Sequence, residues 1–206
     1  MRPLPRVHAF TDPAILSAPD FGIRAAAIAA AGAAVALHAR DRGGPGARLA
    51  ASTLRILALA RPPEAAVFVS GRPDIAAASG AHGVQLGAGD LTPADARRVL
   101  LHGWIGRSVH SADEARAAVK EGADFLVVGS IYETPSHPGV AAGTGLLREA
   151  ATLGRPVIAI GGITPERVPE LKAAGAYGVA AIRALWQADD PASATLSMLA
   201  PWVENR

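Results

Sequence analysis

Short apolar runs recur along the chain, separated by alanine-rich stretches that carry helix start and stop signals. Strands are predicted to begin near Val7 (VHAF), Ala33 (AAVAL), Ala66 (AVFV), Gly83 (GVQL), Trp104 (WIGRS), Phe125 (FLVVG), Val157 (VIAI) and Gly178 (GVAAI). Most are apolar without alternation, as parallel strands are when helices cover their outer face. Thr92-Pro93-Ala94-Asp95 and Ser111-Ala112-Asp113-Glu114 each set a hydroxyl N-cap three residues before a carboxylate. Thr164-Pro165 and Asp190-Pro191 put proline at the first helical position, where its missing N–H removes no bond. Gly80, Gly122, Gly154 and Gly175 follow helical stretches where a left-handed stop fits.

Strand, capped helix, glycine stop and next strand form a βα unit, and eight such units close into a (β/α)8 TIM barrel. The chain, residues 1–206, is read as a single barrel domain. An open doubly wound sheet fits less well, because no G-x-G-x-x-G follows the first strand and no P-loop occurs. The glycine-rich stretch Gly43-Gly44-Pro45-Gly46 follows the second strand and reads as a loop.

A barrel places its chemistry at the C-terminal ends of the strands, with phosphate commonly held after strands seven and eight. Strand seven runs into Gly161-Gly162-Ile163-Thr164, where glycines let the backbone approach an anion closely. Strand eight runs into Ala181-Ile182-Arg183, a helix start with free N–H donors and a guanidinium. The other strand ends deliver Thr11 and Asp12; His38, Arg40 and Arg42; Ser70, Gly71 and Arg72; Gln85 and Asp90; and Arg107, Ser108 and His110. After strand six come Ser130, Tyr132, Glu133, Thr134, Ser136 and His137. His38, His110 and His137 are thus expected on the catalytic face, where imidazole suits proton transfer worth roughly 10²–10⁴-fold in rate. His8, His82 and His102 are read as structural.

Composition narrows the chemistry. Only 4% of residues are aromatic, so the core is built from Ala, Val, Leu and Ile. Cysteine is absent, which removes disulfide and thiolate chemistry. Lys120 and Lys172 fall within helical stretches away from strand ends, so no amine is placed for Schiff-base attack. No zinc-type ligand spacing occurs. The net charge is +2, with arginines scattered and no aromatic interleaving, which argues against a nucleic-acid partner. The absence of an apolar leader and of any run of about 18 apolar residues argues against a membrane, leaving a cytoplasmic expectation. A homo-oligomer is compatible with the pattern.

Gly106-Arg107-Ser108-Val109-His110-Ser111, Ile131-Tyr132-Glu133-Thr134-Pro135-Ser136-His137-Pro138-Gly139 and Ile158-Ala159-Ile160-Gly161-Gly162-Ile163-Thr164 resemble the thiamine phosphate synthase/TenI superfamily. The likeness runs from Phe10-Thr11-Asp12 to Arg183 and the helix after it. The synthase branch joins a hydroxymethylpyrimidine pyrophosphate to thiazole phosphate with Mg²⁺. Its Gln-x-Arg-x-Lys pattern falls on His38, Arg40 and Arg42, and its Asn-Asp pair on Ser70 and Gly71. Its second metal aspartate matches Asp90, and the lysine of its strand-six loop falls on His137. Glycine cannot replace a Mg²⁺-binding carboxylate. Ser70-Gly71-Arg72-Pro73-Asp74 is closer to the TenI branch, whose characterised members are metal-independent thiazole tautomerases. That resemblance implies a thiazole tautomerase acting on a small thiazole carboxylate phosphate without cofactor. The catalytic histidine of that branch falls on Ser130, so His137 or His110 would relay the proton and Ser130 would orient a water. Substrate anions would be held by His38, Arg40, Arg42, Arg72, Ser108, Thr134, Ser136, Gly161, Gly162, Ile182 and Arg183. The alternatives are a divergent synthase using Mg²⁺ at Asp90, and a catalytically silent binder of thiazole phosphate.

Overall fold

The computed structural model describes residues 2–60, 64–134, 139 and 141–203. The eight strands are β1 (Val7–Phe10), β2 (Val35–Ala39), β3 (Ala66–Ser70), β4 (Gly83–Leu86), β5 (Trp104–Val109), β6 (Phe125–Val128), β7 (Val157–Ile160) and β8 (Gly178–Ala181). Each pairs in parallel with its neighbours in sequence, and β1 also pairs with β8 (Val7 opposite Val179), so the ring closes. The helices are α1 (Pro13–Ser17), α2 (Phe21–Ala29), α3 (Gly46–Leu59), α4 (Pro73–Ser79), α5 (Pro93–Val99), α6 (Ala112–Lys120), α7 (Gly143–Ala151), α8 (Val168–Ala173), α9 (Arg183–Trp186) and α10 (Pro191–Leu199). Among the described residues, no helix is long and apolar enough to cross a membrane.

The local signals act as the sequence predicts, with two shifts. Thr92 accepts the Asp95 amide at 3.1 Å, Ser111 accepts the Glu114 amide at 3.2 Å, and Asp190 accepts the amides of Ala192 and Ser193. Gly80, Gly122, Gly154 and Gly175 all take positive φ. Strand β2, however, starts at Val35 rather than Ala33, because Gly32–Ala34 form a 3₁₀ turn. Thr164-Pro165 likewise opens a 3₁₀ turn, Pro165–Arg167, which leads into α8. Gly46 begins α3, so the glycine-rich loop after β2 is short.

The strands bury both faces, and this makes two cores. Outward residues such as Val35, Leu37, Ala39, Val67, Val69, Leu126 and Val128 pack with helix residues including Ile28, Ile56 and Leu147. Inward residues, among them Phe10, Ala36, Phe68, Phe125, Val127, Ile158 and Ala180, fill the barrel. Phe68 and Phe125 meet edge to face at 5.7 Å, and His38 stacks on Phe10 at 3.8 Å and on Phe68 at 5.0 Å. Glycines opposite make room for these rings. A Cβ at Gly106 would stand 2.1 Å from Phe125 Cζ, and one at Gly83 2.6 Å from Phe68 Cε1. Burying each phenylalanine contributes about 1.5–3 kcal/mol. The barrel is therefore plugged, and its cavity lies above this layer.

Candidate functional site

Above the aromatic plug, the C-terminal strand ends and their loops enclose a cavity of about 1280 Å³. Phe10, Val127 and Ala180, tops of the plug, form part of its lining. Of the residues expected at the site, Arg40, Arg42, Arg72, Ser108, His110, Ser130, Thr134, Gly161, Gly162, Ile182 and Arg183 line it, as does Asp90. Ser136 and His137 lie outside the described residues.

His38 is the correction. It is fully buried inside the barrel and does not line the cavity. His8 Nε2 lies 3.1 Å from the Pro5 carbonyl, which can only accept, so that nitrogen carries the proton and donates. His8 Nδ1 is then an acceptor, and His38 Nε2–H donates to it at 2.8 Å. His38 Nδ1 is left with no hydrogen-bond partner. Burial pushes the His8 pKa down to about 4, against the raising effect of the Pro5 carbonyl. Burial also holds His38 well below 6.5, helped by His8 and Arg40. Both rings are neutral parts of the core.

The polar floor begins one layer higher. Gln85 Nε2 donates to Ser108 Oγ at 2.6 Å and to the Leu86 carbonyl at 2.9 Å. Ser70 Oγ, opposite Gln85 in the β3–β4 register, is buried with no hydrogen-bond partner. Thr11 Oγ1 accepts the Arg40 amide and donates to the His38 carbonyl, fixing the exit of β2 against β1. Arg40 then leans into the cavity half-buried. Burial lowers its pKa, and the Arg42 charge adds to this while Asp12 opposes it. A guanidinium stays charged under such pressure, and an incoming anion would relieve it. Arg40, Arg42 and Arg183 have no carboxylate within 4.0 Å among the described residues. Arg72 differs: its Nε and Nη2 form a two-point pair with Asp74, which leaves only Nη1 beside Gly46 for a ligand.

A second corner forms over β7 and β8. Gly161 and Gly162 take φ of +101° and +64°, and a Cβ on Gly161 would stand 2.3 Å from Ser130 Oγ. The amides of Gly161, Gly162, Arg183 and Ala184 take no backbone carbonyl among the described residues. Among the described residues these four N–H groups, in two adjoining loops, are left able to donate to an anion. Arg167, which the sequence reading did not single out, braces this corner. Its guanidinium donates to the Gly162 carbonyl and lies over the Tyr132 ring at 4.2 Å. Tyr132 in turn donates to Glu170 at 2.9 Å, tying the strand-six loop to α8. The only local signal for Arg167 was its place in the turn directly after the glycine pair.

Of the two imidazoles expected to move protons, His137 lies outside the described residues. His110 sits exposed at the rim with its Nδ1 3.2 Å from Glu114 Oε2, and the same carboxylate oxygen accepts the His110 amide at 2.8 Å. Arg107 turns away to clamp the carbonyls of Gly87, Ala88 and Leu91.

A Mg²⁺ site of the kind the resemblance implies does not fit these residues. Gly71 supplies no side-chain ligand, and a Cβ there would stand 3.0 and 3.1 Å from the two Asp90 carboxylate oxygens. Asp90 Oδ2 already accepts the Gly87 amide at 2.6 Å. Among the described residues no group of three or more His, Asp or Glu could hold a metal.

Comparison with known proteins gives a consistent pattern. The family described as "Thiamine monophosphate synthase" matches residues 8–185. The thiamine-phosphate synthase of Thermus thermophilus is 45% identical over 147 residues, covering 70% of this chain and 71% of that protein. That of Mycobacterium tuberculosis is 42% identical over 180 residues, covering 81% of each. The solved structure of a thiamine phosphate pyrophosphorylase from Pyrococcus furiosus superposes with a TM-score of 0.80 at 30% identity, covering 95% of this chain and 94% of that one. The chain belongs to the thiamine monophosphate synthase/TenI family.

Proposed function

We propose that this barrel is a synthase that joins a hydroxymethylpyrimidine diphosphate to a thiazole phosphate and releases pyrophosphate. The observation that carries this reading is one cavity with two anion corners, one at Arg40 and Arg42 and the other at Gly161, Gly162 and Arg183. Its volume of about 1280 Å³ exceeds the roughly 300–1,000 Å³ of a site for one small ligand. Two phosphorylated heterocycles fit such a space. The names and identities of the relatives support the same choice.

In the step itself, the thiazole nitrogen bonds to the pyrimidine methylene as the C–O bond to diphosphate breaks, and the electron pair leaves with pyrophosphate. The glycine amides hold the thiazole phosphate and orient its ring, so that the two partners react as neighbours. Arg40 and Arg42 face the diphosphate and stabilise the charge that grows on it as it departs. Gln85 and Ser108 form a hydrogen-bonding floor between the corners.

The expectation of a thiazole tautomerase is less well supported. Of the two imidazoles expected to relay its proton, His110 is bonded to Glu114 at the rim and His137 lies outside the described residues, and the relatives' names favour the synthase. Incubation with both substrates, followed by chromatography, should reveal thiamine phosphate. Arg183→Gln should lower kcat/KM by roughly 10–100-fold, the loss of one charge-assisted contact. Interconversion of thiazole carboxylate phosphate tautomers without any coupling would defeat the synthase reading.

A further inference from the structure

The cavity wall includes three carboxylates, and all three are committed to holding the fold. Asp12 caps α1 by accepting the Ile15 amide at 2.8 Å. Asp41 is paired through both oxygens with Arg48, at the start of α3. Asp90 closes a tight turn twice over: its amide donates to the Gly87 carbonyl at 3.1 Å and its Oδ2 accepts the Gly87 amide at 2.6 Å. A divalent magnesium ion takes a near-octahedral oxygen shell at about 2.0–2.1 Å and sheds its waters reluctantly. Here Asp90 Oδ2 is held by the turn, which leaves a single Asp90 oxygen to offer, and Gly71 has no oxygen to add from its side chain. Three cations of the same cavity, by contrast, have no carboxylate within 4.0 Å among the described residues: Arg40, Arg42 and Arg183.

We infer that the cavity neutralises an organic diphosphate with guanidinium groups, chiefly Arg40 and Arg42, and holds no divalent cation of its own. This rests on the diphosphate reading of the site. Guanidinium offers planar paired donors that match phosphate oxygens, and it needs no ligand shell from the protein. The half-buried Arg40 sits in a low-dielectric setting where an anion is attracted more strongly than at the surface. Arg42, exposed at the mouth, adds the second positive charge.

Inorganic pyrophosphate is the probe. Calorimetric titration of the purified chain should give a Kd in excess EDTA within threefold of that in millimolar Mg²⁺. Arg42→Gln, an exposed substitution that leaves the core untouched, should weaken binding in EDTA by tenfold or more. In electron paramagnetic resonance, the chain should leave the signal of free Mn²⁺ undiminished. Binding seen only with Mg²⁺, binding in neither condition, an unchanged Kd in Arg42→Gln, or uptake of one Mn²⁺ per chain would each overturn the inference. The coupling assay separates this from the synthase reading. Pyrophosphate bound in EDTA with no coupling under any condition removes the synthase reading alone. Coupling that requires added Mg²⁺ removes the metal-free inference alone.

Discussion

At Gly161 the backbone passes so close to the neighbouring loop that a methyl group would lie 2.7 Å from Ser130 Cα as well as 2.3 Å from its hydroxyl. The first of these atoms is backbone and cannot rotate away. The residue also holds φ at +101°, in the left-handed half of the map. Gly161→Ala should therefore lose at least about 2 kcal/mol through strain and overpacking together, read as a lower urea midpoint. Its affinity for inorganic phosphate should fall as this corner distorts. The glycine pair was legible in the sequence, since two glycines directly after a strand mark a close backbone approach. His38 was not legible in the same way. Both faces of β2 are apolar, so its sequence carries no phase, and nothing local says whether position 38 ends a strand or stands one layer down inside it. Arg40, two residues on, points the same way but clears the plug. The crowding of Asp90 against the place a Gly71 side chain would occupy was equally hidden, because the two residues approach only through space.

The elements followed their local chemistry closely, and their caps can be tested one at a time. Thr92 holds the first turn of α5 by accepting the Asp95 amide, and its hydroxyl donates back to the Asp95 carboxylate at 2.8 Å. Thr92→Ala should cost about 1 kcal/mol, measured by urea unfolding, with no change in ligand affinity. Strand existence was readable because apolar runs bounded by glycine stops recur at βα spacing. Strand limits were not readable where alanine dominates. Ala33 and Ala34 suit a turn as well as a strand, and the closing bond from the Val35 amide to the Gly32 carbonyl decides for the turn. In the barrel interior, Gly83 and Gly106 act together with the rings they face. Phe125→Ala should cost about 3–5 kcal/mol, because the glycine opposite cannot fill the void.

For the whole molecule, the buried histidine pair sets an acid limit. In the fold His8 titrates at about 4, while in the unfolded chain it titrates near 6.5. The folded pKa is depressed, so the stabilisation is complete above the unfolded value and is lost as pH falls from about 6.5 to about 4. His38, held low by the same burial, adds to the slope. The loss for His8 alone is on the order of 3 kcal/mol, from its shift at 1.36 kcal/mol per unit. Urea midpoints measured across this range should fall steadily, and the double substitution His8→Leu with His38→Leu should flatten that slope. A midpoint independent of pH between 6.5 and 4 would show that the rings are not held neutral.

The layer of Phe10, His38, Phe68 and Phe125 does more than fill space. By stopping the barrel from below, it leaves both substrates, among the described residues, to come and go on the strand-end side. Whichever substrate seats deeper has to arrive first, and the shallower one, bound early, blocks the way behind it. Initial-rate kinetics on this enzyme should thus display a compulsory order of addition, with inhibition by an excess of the outer substrate.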